Sequence, residues 1–309
     1  MKYHASVMSA AVINDAHCHF FSRRFFEVLA ADPGSPPIQD PGTDLPCALG
    51  WDPPGQPIEL ADRWVAELDA HGIARAAVMA SVPGDESSVA AAVARHPERL
   101  VGMFMLDPTK PDAAARATRG LTEYKLRCVC LFPAMHRYAL DHEQVEAVFR
   151  VVAEHRGAIF VHCGVLSVGV RKKLGLSHRF DVRFGNPLAL VQVALAHPGV
   201  PVIIPHFGAG FLRETLMAGD LCPTVHVDTS SSNAWMKYFP GLRLEDVFRQ
   251  ALEVLGADRV IFGSDSSFFP RGWQRSVYEQ QVAVMDELGL VEDARQRILG
   301  KNFTRLFGP

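Results

Sequence analysis

The chain has 309 residues, a formal net charge of −3, 21% charged residues and 48% hydrophobic residues. That balance describes a soluble globular protein long enough for a large core, and it excludes a polybasic nucleic-acid binder and a polyacidic tail. No stretch approaches the uninterrupted apolar length of a membrane span, and the six cysteines lack both C-x-x-C spacing and the layout of a disulfide framework.

Residues 1–10 hold one Lys and run directly into the first strand pattern. A signal peptide would be cut inside that strand, so none is expected, and reduced thiols in a cytoplasmic protein are. The first strand is expected over 12–20 and contains Asp15-Ala16-His17-Cys18-His19. Alternate side chains of a strand share a face, so His17 and His19 can aim together at one ion. Segment 32–57 is dense in Pro and Gly, including Pro33, Gly34, Pro41, Gly42, Pro46, Pro53 and Pro54. It reads as neither helix nor central strand. Its length and its place after the first strand suit a lid or substrate-facing loop at the catalytic rim, and Leu49 and Trp51 argue against full solvation.

Helix and strand patterns then alternate. Residues 58–71 put Leu60, Trp64, Val65 and Leu68 on one face and end at Gly72; strands follow at 74–81, 100–106 and 127–132. Residues 141–156 group Val145, Val148, Phe149 and Val152, and a strand over 158–164 ends in His162-Cys163-Gly164. A helix over 187–197 opens with Pro and leads to a strand at 201–207 containing Pro205-His206-Phe207. A strand at 224–229, a helix at 245–255 and a strand at 259–264 complete the series, and Asp265 follows at once.

Eight strands alternating with helices imply parallel βαβ units. The expectation is a single-domain α/β fold over 1–309, a TIM-type (β/α)8 barrel. A doubly wound sheet would need a Gly-rich phosphate loop after the first strand, where Phe20-Phe21-Ser22-Arg23-Arg24 stands instead. Four strand-like runs end in a potential ligand followed by small residues, the pattern of an ion held at one rim of a barrel. Imidazole and carboxylate suit zinc, and a catalytic zinc keeps a position open for water. His136, His142, His155, His197 and His226 are expected to be structural. Asp228, near the end of the seventh strand, is the better candidate to support a ligand from behind.

Asp15-Ala16-His17-Cys18-His19, Val161-His162-Cys163-Gly164, Pro205-His206-Phe207-Gly208 and Gly263-Ser264-Asp265 together resemble the motif series of the amidohydrolase superfamily. The branch they are most similar to is the amidohydrolase-related group, which includes aminocarboxymuconate semialdehyde decarboxylase and related lactone and amide hydrolases. Lys301-Asn302-Phe303-Thr304-Arg305-Leu306-Phe307-Gly308 is similar to that branch's closing helix. The resemblance spans nearly the whole chain. It implies that His17, His19, His162 and Asp265 bind the metal, that His206 sits beside the reacting water, and that Asp265 also handles its proton. Binuclear members carry a modified Lys at the end of the fourth strand. Here that strand reads Arg127-Cys128-Val129-Cys130-Leu131-Phe132, so one divalent ion, best matched by Zn2+, is expected. Hydroxybenzoate-type decarboxylases also resemble the chain but carry Glu-x-His where it has His-x-His.

The expected activity is a metal-dependent hydrolase cleaving an amide, ester or lactone bond through metal-activated water. The alternative is a metal-dependent non-oxidative decarboxylase of an unsaturated or aromatic carboxylate, with a hydratase third. Catalytic roles fall to His206 and Asp265. Arg183 and Arg271, in loops after the fifth and eighth strands, are candidate clamps for a substrate carboxylate. His178 is a weaker candidate. The partner is a small carboxylated molecule rather than nucleic acid or membrane, and the resemblance implies a homodimer.

Overall fold

The apolar runs become eight parallel strands, each followed by at least one helical segment. The computed structural model describes residues 12–35, 37–231 and 233–309, so the leader question at 1–10 lies outside the described residues. The strands are β1 Asn14–Phe20, β2 Arg75–Ala80, β3 Leu100–Leu106, β4 Cys128–Leu131, β5 Ala158–Val161, β6 Val202–Ile204, β7 Val225–Asp228 and β8 Val260–Ile261. They pair in sequence order, every pair parallel. The last segment meets the first through Ala16 N to Phe262 O (2.9 Å), Asp265 N to His17 O (2.8 Å) and His19 N to Ser266 O (2.7 Å). This is a single-domain (β/α)8 barrel, nearly closed.

Strand periodicity sorts the core into two layers. From β3, Val101, Met103 and Met105 fill the barrel with Cys128, Cys130, Ala158, Phe160 and Ile203. Leu100, Phe104 and Leu106 of the same strand pack outward under the helices. The last helix, Asn302–Phe307, adds Phe303 and Phe307 to the interior cluster. Asn302 anchors it, its Nδ2 donating to Ala257 O and Val260 O at 2.7 Å each.

The ladders stop earlier than the sequence pattern suggests. β5, β6 and β8 end at Val161, Ile204 and Ile261, so His162, His206 and Asp265 lie just beyond regular pairing. There the backbone is free to take non-strand angles and aim side chains over the barrel mouth. The expected helix at 58–71 forms as Pro57–Ala70, that at 141–156 as Glu143–Glu154, and that at 245–255 as Leu244–Leu255.

One expectation is corrected. Segment 32–57 contains a helix, Pro41–Ala48. Pro41 takes the first helical position, where no donor is needed, and Pro46 forfeits one backbone bond. Packing decides the outcome: Leu45 is fully buried with Phe25, Phe26, Leu29 and Trp51 in a third apolar cluster. Trp51 stacks on Phe268 of the loop after β8 (ring centroids 3.9 Å apart), and Arg171 of the loop after β5 bonds Asp32 at 2.7 Å. The segment is therefore tied to the loops leaving β5 and β8. Among the described residues no helix is long and apolar enough to cross a membrane.

Candidate metal centre

The centre begins with an irregularity in β1. Its register against β2 slips between Asp15 and Cys18, a bulge that inserts one extra residue. Asp15 holds the slip: its Oδ1 accepts from His17 N (2.9 Å) and Ser264 N (3.0 Å), and its Oδ2 from Trp273 Nε1 (2.7 Å). Burial pushes the Asp15 carboxyl up against the lowering effect of these bonds. After the slip, His17 and His19 face the mouth together, ring centroids 5.2 Å apart.

Both imidazoles are held from behind. His19 Nδ1 lies 2.7 Å from Ser81 Oγ, whose proton goes to Met79 O at 3.0 Å. The hydroxyl therefore accepts from His19 Nδ1–H. His17 Nδ1 lies 2.9 Å from Asp228 Oδ2 and 3.0 Å from Ser230 Oγ. In front, His19 Nε2 is 3.1 Å and His17 Nε2 3.8 Å from Asp265 Oδ1. The ligand atoms of His17, His19 and Asp265 lie within 4.8 Å of one another.

The second half of the site hangs on Asp228, the last residue of β7. Its Oδ1 accepts from His206 N (3.0 Å), from Ser230 N (2.9 Å) and from the Ser230 hydroxyl; its Oδ2 accepts from His17. Burial pushes the carboxyl up, but the His17 charge and hydrogen bond, with His206 and Ser230, outweigh it and hold Asp228 down at about 2. His206 and Phe207 adopt left-handed backbone angles (φ 55° and 52°), as does Asp265 (φ 59°). Such angles cost of order 1–3 kcal/mol each and persist only where surrounding contacts impose them. The bond from His206 N to Asp228 is one such contact. Two glycines permit the approach of the neighbouring loops. A Cβ on Gly164 (φ 79°) would sit 2.1 Å from Gly208 O, and one on Gly208 (φ 88°) 1.9 Å from Thr215 Oγ1.

His162 stands back from the compact group. Its ring lies 5.4 Å from that of His206 and 5.4 Å from that of Phe132, and its buried Nδ1 has no hydrogen-bond partner. Burial, then the His206 and His17 imidazoles, push it down to about 3, so the ring is neutral. Burial also lowers His19. His17 behaves differently: burial alone would lower it, but Asp228, Asp265 and Asp15 raise it. The buried carboxylates thus favour positive charge at this point. Burial pushes Asp265 up, but the His19 bond and the imidazole charges hold it well below the usual carboxylate range.

These features fit a divalent ion. Two imidazole Nε2 atoms with their Nδ1 atoms fixed, one ionised carboxylate, an orphaned imidazole nitrogen nearby and a field that favours a cation match the donor set and supporting partners of a borderline metal.

The basic candidates separate. Arg183 is not brought to the mouth. Asp181, two residues earlier, captures it through both carboxylate oxygens, and its side chain is 85% exposed. Arg271 lies over the Phe268 ring at 4.4 Å and bonds Ser267 Oγ (2.7 Å) and Asp265 O (3.3 Å). Lys173 Nζ flanks the same stack, 5.5 Å from the Trp51 ring and 5.9 Å from Phe268. Among the described residues neither Arg271 nor Lys173 has a carboxylate partner within ion-pair distance. His178 bonds Leu166 O at 3.0 Å, and His226 bonds Thr224 O at 2.8 Å.

Sequence reasoning passed over Ser230 and Ser81, which sit behind three imidazoles, and over Trp51–Phe268 as a wall. A serine two residues past Asp228 and another at the end of β2 were the available signals, but serine is too common at strand ends to stand out.

The profile of the amidohydrolase family matches residues 14–308. No curated protein sequence matches the chain. Among solved structures it is similar to 5-carboxyvanillate decarboxylase from Novosphingobium aromaticivorans complexed with manganese and 4-hydroxy-3-methoxy-5-nitrobenzoic acid (19% identity, TM-score 0.67, 97% of each chain). It is also similar to a probable 2-pyrone-4,6-dicarboxylic acid hydrolase from Acinetobacter baumannii with citric acid bound (16%, 0.61, 96% of this chain and 99% of that one). A third is an amidohydrolase from Burkholderia multivorans with bound zinc (17%, 0.59, 96% and 99%). Nearly complete coverage by the family profile, the barrel, and strand-end histidines converging on one aspartate agree, and the chain belongs to the amidohydrolase family.

Proposed function

We propose that the protein is a divalent-metal-dependent hydrolase that opens an amide, ester or lactone bond of a small carboxylated molecule. The observation that carries the reading is the convergence of His17, His19 and Asp265 within 4.8 Å, with His206 beside them. One divalent ion, best matched by zinc, would be held by His17, His19, Asp265 and His162, and would supply Lewis acidity and a water of pKa about 7. Asp265, ionised at neutral pH, accepts the proton of the attacking water and returns it to the leaving group. His206 orients that water. Arg271 receives the substrate carboxylate, with Lys173 on the same aromatic stack as a second cation. The carboxylated ligands in two structural neighbours support this class of substrate. Six unpaired thiols, five of them buried, suit a reducing compartment, so a cytoplasmic location belongs to the same reading.

The second reading is non-oxidative decarboxylation of an aromatic or unsaturated carboxylate. The flat wall made by Phe21, Trp51 and Phe268 favours it, as does the decarboxylase among the neighbours. Turnover in 18O-water separates the two. The metal-loaded protein, offered lactones, amides, esters and aromatic carboxylates, is expected to place one 18O atom in a product carboxylate. Carbon dioxide release with no 18O in the organic product would overturn the hydrolase and establish the decarboxylase.

A further inference from the structure

We infer that Ser230 is a positioning residue that commits His206 to the tautomer protonated at Nδ1, leaving Nε2 as an acceptor toward the reacting centre. The inference rests on the reading of His206 as the group beside the reacting water, and it decides which of two roles that ring takes.

Asp228 Oδ1 already accepts from two backbone N–H groups, those of His206 and Ser230, so it carries no proton and can only accept. The contact between its Oδ1 and the Ser230 hydroxyl therefore consumes the one hydroxyl proton. His17 Nδ1, 2.9 Å from Asp228 Oδ2, must likewise donate. Ser230 Oγ is left with lone pairs only, and it lies 2.8 Å from His206 Nδ1. The second polar atom near that nitrogen is the Ser230 carbonyl oxygen at 3.4 Å, which also can only accept. Both neighbours of Nδ1 are acceptors, so the proton of the neutral ring sits on Nδ1. Its Nε2 then carries a lone pair. Such a ring can hold a water by its proton and take that proton; it cannot, while neutral, donate at Nε2 to a developing oxyanion.

Asp228 thereby sets two rings at once. It orients His17 directly, leaving Nε2 free to ligate, and orients His206 through Ser230. The two rings lie 5.1 Å apart. Ser230 is fully buried, so water does not compete for these bonds.

The test reads tautomers rather than turnover. Protein with 15N-labelled histidine, metal-free and zinc-loaded, is examined by long-range 1H–15N correlation, with the His206 resonances assigned by loss in His206→Asn. The parent is expected to show His206 protonated at Nδ1 in both states. Ser230→Ala is expected to populate the Nε2-protonated form, and Ser230→Thr, which restores a hydroxyl, to return to the parent pattern. A purely structural Ser230 would lower the melting temperature of Ser230→Ala without changing the tautomer, and that result overturns the inference. So does an Nε2-protonated His206 in the parent. Failure to hydrolyse any offered substrate would count against the proposed reaction and leave these spectra unchanged.

Discussion

Replacing Asp228 by Asn tests the supporting role of β7 on an atom that does not face the ion. The side chain keeps its shape, but one edge changes from acceptor to donor. Three donors face Oδ1: His206 N, Ser230 N and the Ser230 hydroxyl. They retain the amide oxygen, so Nδ2 turns toward His17 Nδ1 at the former 2.9 Å contact. Two donors cannot share that contact. The His17 proton moves to Nε2, the nitrogen that faces Asp265, and the lone pair needed for the ion is lost. Losing an outer partner of this kind weakens metal affinity roughly 10- to 100-fold, about 1.4–2.7 kcal/mol. Zinc competition against a chelator, with circular dichroism and melting temperature on the same sample, measures it. A folded Asp228→Asn protein whose zinc affinity stays within about twofold of the parent would refute the reasoning.

Three further outcomes are expected. His206→Asn keeps its zinc and loses about a hundredfold in kcat, whereas His17→Ala loses zinc and activity together; full zinc loss in His206→Asn would make His206 a ligand. On any substrate that turns over, Arg271→Met raises KM with little change in zinc content, while Arg183→Met, already neutralised by Asp181 at the surface, behaves like the parent; the reverse ranking sinks the assignment. Asp85 is pushed up to about 6 by burial, against the Ser22 and Ser88 hydroxyls that bond it. Because the fold prefers its neutral acid, its contribution is most favourable below about pH 4 and falls by roughly 2–3 kcal/mol as pH rises past about 6. Asp85→Asn should therefore melt above the parent at pH 8 and close that gap toward pH 4, and a pH-independent difference in melting temperature would refute this.

The amino-acid sequence by itself determined the alternation of elements, the barrel and the strand ends at which the candidate metal ligands stand. Strand and helix periods are local, and β-branched runs ending in His or Asp mark the strand ends where the chain turns over the mouth. His17 and His19 share a face because they stand two apart in one strand, a relation that needs no partner. What depended on contacts between distant segments could not be read the same way. The bulge at Asp15 is imposed by Ser264 and Trp273, some 250 residues away. The hub at Asp228 exists because β6 pairs with β7 and the barrel closes through β8 onto β1, so that His206, Ser230 and His17 reach one carboxylate. The helix Pro41–Ala48 forms against local propensity because Leu45 finds a buried place among Phe25, Phe26 and Trp51. Arg183 and Arg271 look alike as loop arginines, yet one is captured by its neighbour Asp181 and the other is laid across Phe268 beside Asp265. Burial and hydrogen-bond partners are properties of the folded chain, and they decide which side chain supports the site and which remains in solvent.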